Sequence, residues 1–444
     1  MRDRVSDLAP AATRLGQLQR GRGAGFRAAL AAGDAAGEDV LQCLIADPRI
    51  DRQIEARERY YAELVAALDV PLAPLVAHLS GRAAELGHAV LAGAWRLGHR
   101  ATRALLADPG SDEALVTGIA EQLWGLQWAA LVDLPPRAAR VFLRQALAEA
   151  DCARSAQLRP SVASLRGEMS VPQLLEFGRQ LPHGQRWAVV EELCRRGTEA
   201  DRSALAATVT GDRVYDRVRL AAQALGTLGD ERLLPVAIDY FGREDVFADP
   251  ARRLSGADRM RRSALNDYVQ HLPVDRQLEL ARDWHARGGY FEVVAGFVFG
   301  AQATPDDRTR LEAFVAEHGG EHGGSEVIFE LDALGRIGDP RSAPLLIDVA
   351  ATARYSHARR RALHALAGMQ QVPAAVAALH EALWDSEDEA AADGCSFLPS
   401  LDGGALARVG ALAAHCLAAE ELRLRAGRRL ARERRATRGQ PRPS

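Results

Sequence analysis

Val214, Val218, Ala221, Leu225 and Leu228 recur at spacings of three and four, which predicts one apolar stripe of an α-helix. Gly226 and Gly229 weaken that helix and permit the positive φ that ends it. Asp230 is placed to cap a following helix, whose stripe is Leu234, Ile238 and Phe241. Pro235 lies close enough to that start to be tolerated, because the first amides of a helix have no intrahelical partner. The whole pattern then returns. Residues 224–239, ALGTLGDERLLPVAID, reappear as 333–348, ALGRIGDPRSAPLLID, with nine of sixteen positions identical. A weaker third copy, RRALHALAGMQQVPAAVAAL, occupies 360–379. Self-similarity of this kind predicts a stack of helical pairs, each burying its apolar side against its neighbours.

The rest of the chain is helical in pattern too. Amphipathic segments run over 53–68, 83–97 and 112–131, broken by Gly, Pro or Asp at similar intervals. No strand-like alternation persists beyond a few residues. Residues 151–172, with Pro160, Gly167 and Pro172, read as an irregular junction. Between the two strong copies, 262–284 and 290–315 read as degenerate units. The fold class expected is all-α, an α-α superhelix of antiparallel helix pairs. Its parts are an N-terminal helical region (1–155), a repeat region (156–420) and an arginine-rich helix with a tail (421–444).

The unit A-L-G-x-L-G-D-x-R-x-x-P-x-x-I resembles the HEAT repeat, in the short bacterial form also called the phycobilisome-lyase-like HEAT repeat. Val218–Ala222, VRLAA, matches the family's V-R-x-x-A lead-in. Arg360 takes the Arg219 place in the third copy, whereas Ile328 stands where the middle copy would have Arg. The likeness is specific between about 212 and 379. It implies a solenoid whose concave surface, lined by successive second helices, holds a protein or peptide. It also implies that the recurring Arg219, Arg232, Arg341 and Arg360 bond adjacent repeats rather than a ligand. GRGAGFRAAL and DPRIDRQIEARERYYAEL resemble a recurrent N-terminal arrangement in HEAT-repeat proteins of high-GC bacteria, which brings no activity with it. A chromophore-lyase-like chaperone role is implied by the repeat's family name alone.

Composition narrows the chemistry. All 56 basic residues are arginine, so no Schiff-base or P-loop lysine exists. The net charge of -3 hides an asymmetry: residues 421–444 hold nine Arg and two Glu, leaving a mildly acidic body. That argues against a nucleic-acid groove along the whole length. The basic end reads three ways: weak affinity for polyanions, folding back on the acidic body, or solubility. Five cysteines (Cys43, Cys152, Cys194, Cys395, Cys416) lack CxxC spacing and suit reduced thiols. Residues 1–15 hold no apolar run of signal-peptide length, and the most apolar segment, 290–303, contains Glu292 and is too short to span a bilayer. A cytoplasmic protein without a membrane segment or cofactor is expected.

Candidate binding residues are the arginine clusters Arg252, Arg253, Arg259, Arg261, Arg262 and Arg359, Arg360, Arg361, which would meet acidic partners or phosphate if they shared a face. Glu317, His318, Glu321 and His322 have metal-like spacing, but the glycines between them predict a loop at a helix end. Asp385, Glu387, Asp388 and Glu389 read as a helix-start acid run. His364, His415 and Cys416 lie in apolar helical stretches and form no triad spacing. Trp124, Trp128 and Asp133 carry the alternative reading, nucleic-acid binding or base repair. They resemble the Trp-Asp pair of HEAT-like alkylpurine DNA glycosylases, in which Asp follows Trp by four residues. Here Asp133 follows Trp128 by five, one helical step of about 100°. An i,i+4 tryptophan pair also suits core packing.

Overall fold

Proline near helix starts, Gly or Asp at helix ends and the three-to-four apolar spacing are realised as helices throughout. The computed structural model describes residues 8–52, 55–79, 84–108, 111–123, 169–181, 186–243, 254–320 and 325–439, and no strand occurs among them. The N-terminal helices are α1 (Arg14–Gln19), α2 (Gly23–Ala32), α3 (Gly37–Ala46), α4 (Glu58–Leu68), α5 (Ala73–Val76), α6 (Ala84–Arg96), α7 (Arg100–Ala107) and α8 (Glu113–Leu123). Next come α9 (Val171–Gln180), α10 (Trp187–Arg196), α11 (Glu199–Gly211), α12 (Tyr215–Thr227), α13 (Leu234–Phe241), α14 (Gly256–Gln270), α15 (Val274–Arg287) and α16 (Gly289–Gln302). The last set is α17 (Arg308–His318), α18 (Ile328–Ile337), α19 (Ala343–Thr352), α20 (Ser356–Ala367), α21 (Pro373–Ala382), α22 (Asp388–Phe397), α23 (Gly403–Ala414) and α24 (Glu420–Gly439).

These helices fall into two compact units. The central unit holds the described residues between 169 and 304. The terminal unit packs those between 8 and 123 with those from 305 to 439. Within the central unit α12, α14 and α16 stack in order. In the terminal unit α18, α20, α22 and α24 form one row, and α17, α19 and α21 form another. Each helix therefore covers its neighbours in chain order, as a helical solenoid requires.

The two sixteen-residue copies adopt the same local structure, one in each unit. Gly229 and Gly338 take φ of 63° and 67°, ending α12 and α18 in the left-handed region that glycine tolerates. The Asp230 and Asp339 carboxylates then accept from the amides of Arg232 and Arg341, capping one 3-10 turn each before α13 and α19. Gly226 and Gly335 do something else. Both lie inside a helix, where a β-carbon at Gly226 would sit 2.3 Å from the Tyr268 carbonyl oxygen and one at Gly335 would sit 2.9 Å from the Ala365 Cα. The first glycine of A-L-G thus admits the next helix of the row instead of stopping its own.

The terminal unit departs from a purely linear stack. α2 packs on α21, and Trp384 touches two apolar clusters of the unit. One cluster centres on Leu18, Phe26, Tyr60, Tyr61 and Leu91, the other on Leu379, Leu383, Cys395 and Leu412. Trp384 and Leu417 thus pack against the cluster formed by the N-terminal helices.

Helix propensity alone makes Gly226→Ala stabilising by up to about 1 kcal/mol. The close approach reverses the sign: urea unfolding should show a loss of about 1–3 kcal/mol, the usual cost of overpacking. A more stable variant would show that α14 does not need the space.

Candidate functional site

Consecutive residues on a helix diverge by about 100°, so Arg359, Arg360 and Arg361 cannot form one patch. Arg359, in the first turn of α20, turns inward and is 1% exposed. Its guanidinium grips both oxygens of Asp385 at 2.9 Å and also donates to the Arg20 carbonyl. Arg57, equally buried, comes from the start of α4 and donates to the same carbonyl, to Ser386 Oγ at 2.8 Å and to Glu55 at 3.2 Å. Glu55 accepts from the Ser356 amide at 3.0 Å, and Ser356 Oγ donates to Glu387 at 2.6 Å. Beside them Arg59 joins Asp388 (2.7 Å), Glu63 (2.8 Å) and the Asp385 carbonyl (2.8 Å). Arg408 closes onto Glu63 at 2.5 Å.

This lattice ties segments more than three hundred residues apart. Burial pushes the Glu387 carboxyl above its usual value although Arg57 and Ser356 pull it down. Burial works against the Arg359 charge, but Asp385 outweighs it and holds the guanidinium firmly protonated. Gly21 makes room: at φ 68° it has no side chain to strike Arg57 Nη1, which would lie 1.6 Å from a β-carbon. The GRG run of the sequence is thereby explained.

Arg360 and Arg361 face a different place, a cleft of about 290 Å³ between α20, α22 and α24. Arg360 pairs with Glu389, and Arg361 pairs with Asp332 at 2.9 Å. Burial, and then Arg361 beside it, lowers the Arg360 pKa. His364 contacts Asp393 at 2.8 Å, and that hydrogen bond raises the imidazole above its ordinary value. Arg425 of α24 reaches Asp393 from the other wall at 3.2 Å. The lining also holds Asp388 and Glu421, so its charges largely cancel. The cleft is a seam of ion pairs between successive helices and has no excess charge with which to hold an anion.

Of the recurring arginines, Arg219 and Arg232 bridge helices as Arg360 does, whereas Arg341 does not. Arg219 pairs with Asp267 on α14, and Arg186 with Asp216 on α12. Arg232 reaches back to Glu199 at 3.0 Å as well as to Asp230. Arg341 stays on Asp339, which it and the Arg341 amide hold down at about 2.

One surface of the central unit remains open. Trp187 at the start of α10 and Tyr215 at the start of α12 are 45% and 44% exposed. Trp187 lies 5.6 Å from the His271 ring, and Tyr215 OH meets Ser263 Oγ at 3.0 Å. The Arg219 guanidinium rests 5.7 Å from the Tyr215 ring centre. Beside Trp187 is a depression of about 140 Å³ lined by Arg186, Trp187, Asp216, Arg219, Leu220 and Gln223. The pair is inconspicuous in the amino-acid sequence. Its one signal is Trp187, which falls outside the buried Val189–Val190–Leu193 stripe of its helix.

Arg259 and Arg261 are exposed on the first turns of α14, whereas Arg262 is half-buried there. Arg252 and Arg253 lie outside the described residues, as do Trp124, Trp128 and Asp133. His318 stacks on Phe314 at 4.3 Å in the last turn of α17, and Glu321 and His322 fall outside the described residues. Among the described residues no group of three or more His, Cys, Asp or Glu is placed to hold a metal. Cys43 and Cys395 are buried, which pushes both thiols up to about 12. Among the described residues no helix is long and apolar enough to cross a membrane.

Arg359→Met should leave Asp385 buried without its cation and cost about 3–5 kcal/mol in thermal unfolding. The pair Arg359→Met with Asp385→Leu should recover much of that loss; equal losses would show that packing, not charge, holds the two chain ends together. Comparison with protein-family models finds no match, and neither does comparison with curated proteins, so any functional reading rests on the chain's own geometry.

Proposed function

We propose that this protein is a noncatalytic HEAT-type repeat scaffold of the cytoplasm that binds a protein or peptide, and that the Trp187–Tyr215 surface of the central unit is its docking contact. The observation carrying this reading is the pairing of two half-exposed aromatics with arginines already held in place. Tryptophan, tyrosine and arginine supply most binding energy at protein interfaces, because they offer large rigid area with a polar edge. Arg186 and Arg219 are fixed by Asp216 and Asp267, so little side-chain entropy remains to be lost on docking. The depression beside Trp187 is sized for one side chain rather than for a cofactor. Stacked helices supply the rigid support that such a surface needs.

The test is affinity capture from lysate of the source cells with the wild-type chain and with Trp187→Ala/Tyr215→Ala. One dominant partner should be retained by the wild type and fall at least about tenfold with the double variant, the scale of one or two hot-spot residues. Equal capture by both proteins would remove the aromatics from the interface.

A further inference from the structure

Helix α24 has two unlike faces. Leu422, Ala426 and Arg429 are buried against the preceding helices, with Leu430 beside them. Arg429 donates to the Leu398 carbonyl and to Glu433, and Arg425 is occupied by Glu421 and Asp393. So one half of the basic helix does fold back on the body. The opposite face is Leu424, Arg428, Arg432 and Arg435, at intervals of four, four and three residues. All four are exposed, and Arg434 flanks them. No acid among the described residues forms an ion pair with Arg428, Arg432, Arg434 or Arg435. This sets them apart from the arginines of the seams, each of which has a carboxylate partner.

We propose that this outward stripe holds the phosphate backbone of duplex nucleic acid, without reading base sequence. With a rise of 1.5 Å per residue, Arg428 to Arg435 covers about 10 Å of helix. A duplex presents one phosphate charge per roughly 1.7 Å of its axis, so several phosphates come within guanidinium reach at once. Phosphate contacts need only cationic forks, and arginine supplies them bidentately. The composition of the stripe separates this from its rivals. A protein interface needs an apolar centre, and Leu424 is the single large apolar side chain here. An interfacial membrane helix must insert its apolar face, which on α24 is already buried. Single strands need aromatic stacking platforms, and the stripe has no aromatic residue. The acidic body confines the attraction to this end of the molecule.

The experiment uses the full chain and a fluorescent mixed-sequence 20-base-pair DNA duplex, read by anisotropy across a salt series. Its variant is Arg428→Gln/Arg432→Gln/Arg435→Gln, three exposed substitutions that keep helix propensity. The wild type should bind at low salt and weaken steeply as salt rises. The variant should bind about tenfold or more weakly at low salt, and its log–log salt slope should be shallower by about 3, one unit for each guanidinium taken off a phosphate. Duplexes of unrelated sequence should bind alike. Absence of wild-type binding at about 50 mM salt, an unchanged slope in the variant, or equally strong binding to polyglutamate or to anionic phospholipid vesicles would each overturn the assignment.

Discussion

Two guanidiniums, Arg57 and Arg359, meet in the dry interior of the terminal unit around one carbonyl, that of Arg20. Taking such charges out of water costs several kcal/mol each, and only an arrangement that satisfies nearly every donor can offset it. The neighbours are accordingly set in detail: the bidentate Asp385, the Glu55 and Glu387 carboxylates bridged through Ser356, and a glycine at position 21 that alone fits beneath Arg57. Few other registers of the two chain ends could satisfy the same groups. The apolar clusters on either side, joined through Trp384, then supply the favourable burial. Direction comes from the ions, and most of the stability comes from the core.

Much of this is legible in the chain, and the failures have physical causes. Helix pairing follows from the three-to-four spacing, and the Gly-Asp turn from the conformations that those two residues favour; both copies show it. The first glycine of each copy reads wrongly as a helix stop, because sequence cannot show that another helix passes within van der Waals distance. The triplet 359–361 looks like one cluster, yet helical geometry sends Arg359 to a buried carboxylate and leaves Arg360 and Arg361 on a charge-balanced cleft, each with its own acid. The buried lattice is invisible as a unit, since its members lie more than three hundred residues apart in the chain. Only the GRG run hints that something large must approach the backbone there. Of the three readings of the basic end, folding back describes one face of α24 and leaves the other face free.

Charge is largely used up inside this molecule. Arginines bridge next-but-one helices, neighbours within a row, at separations near thirty residues, as Arg186–Asp216, Arg361–Asp332 and Arg425–Asp393 do. Most of these pairs are partly solvated and contribute little each, but they fix which helix follows which. Against that background two exposed features stand out. They are an aromatic pair in the central unit and an arginine stripe on the last helix of the terminal unit, two surfaces of different chemistry on separate bodies.

The most direct measurement of the central claim is native-state hydrogen exchange of the terminal unit in rising denaturant. If the lattice joins the chain ends, amides of α4 and α20 should open in one cooperative step with the same free energy and the same denaturant dependence. If α4 loses protection at lower denaturant while α20 stays closed, the N-terminal helices are a separate body and the buried arginines do not unite them.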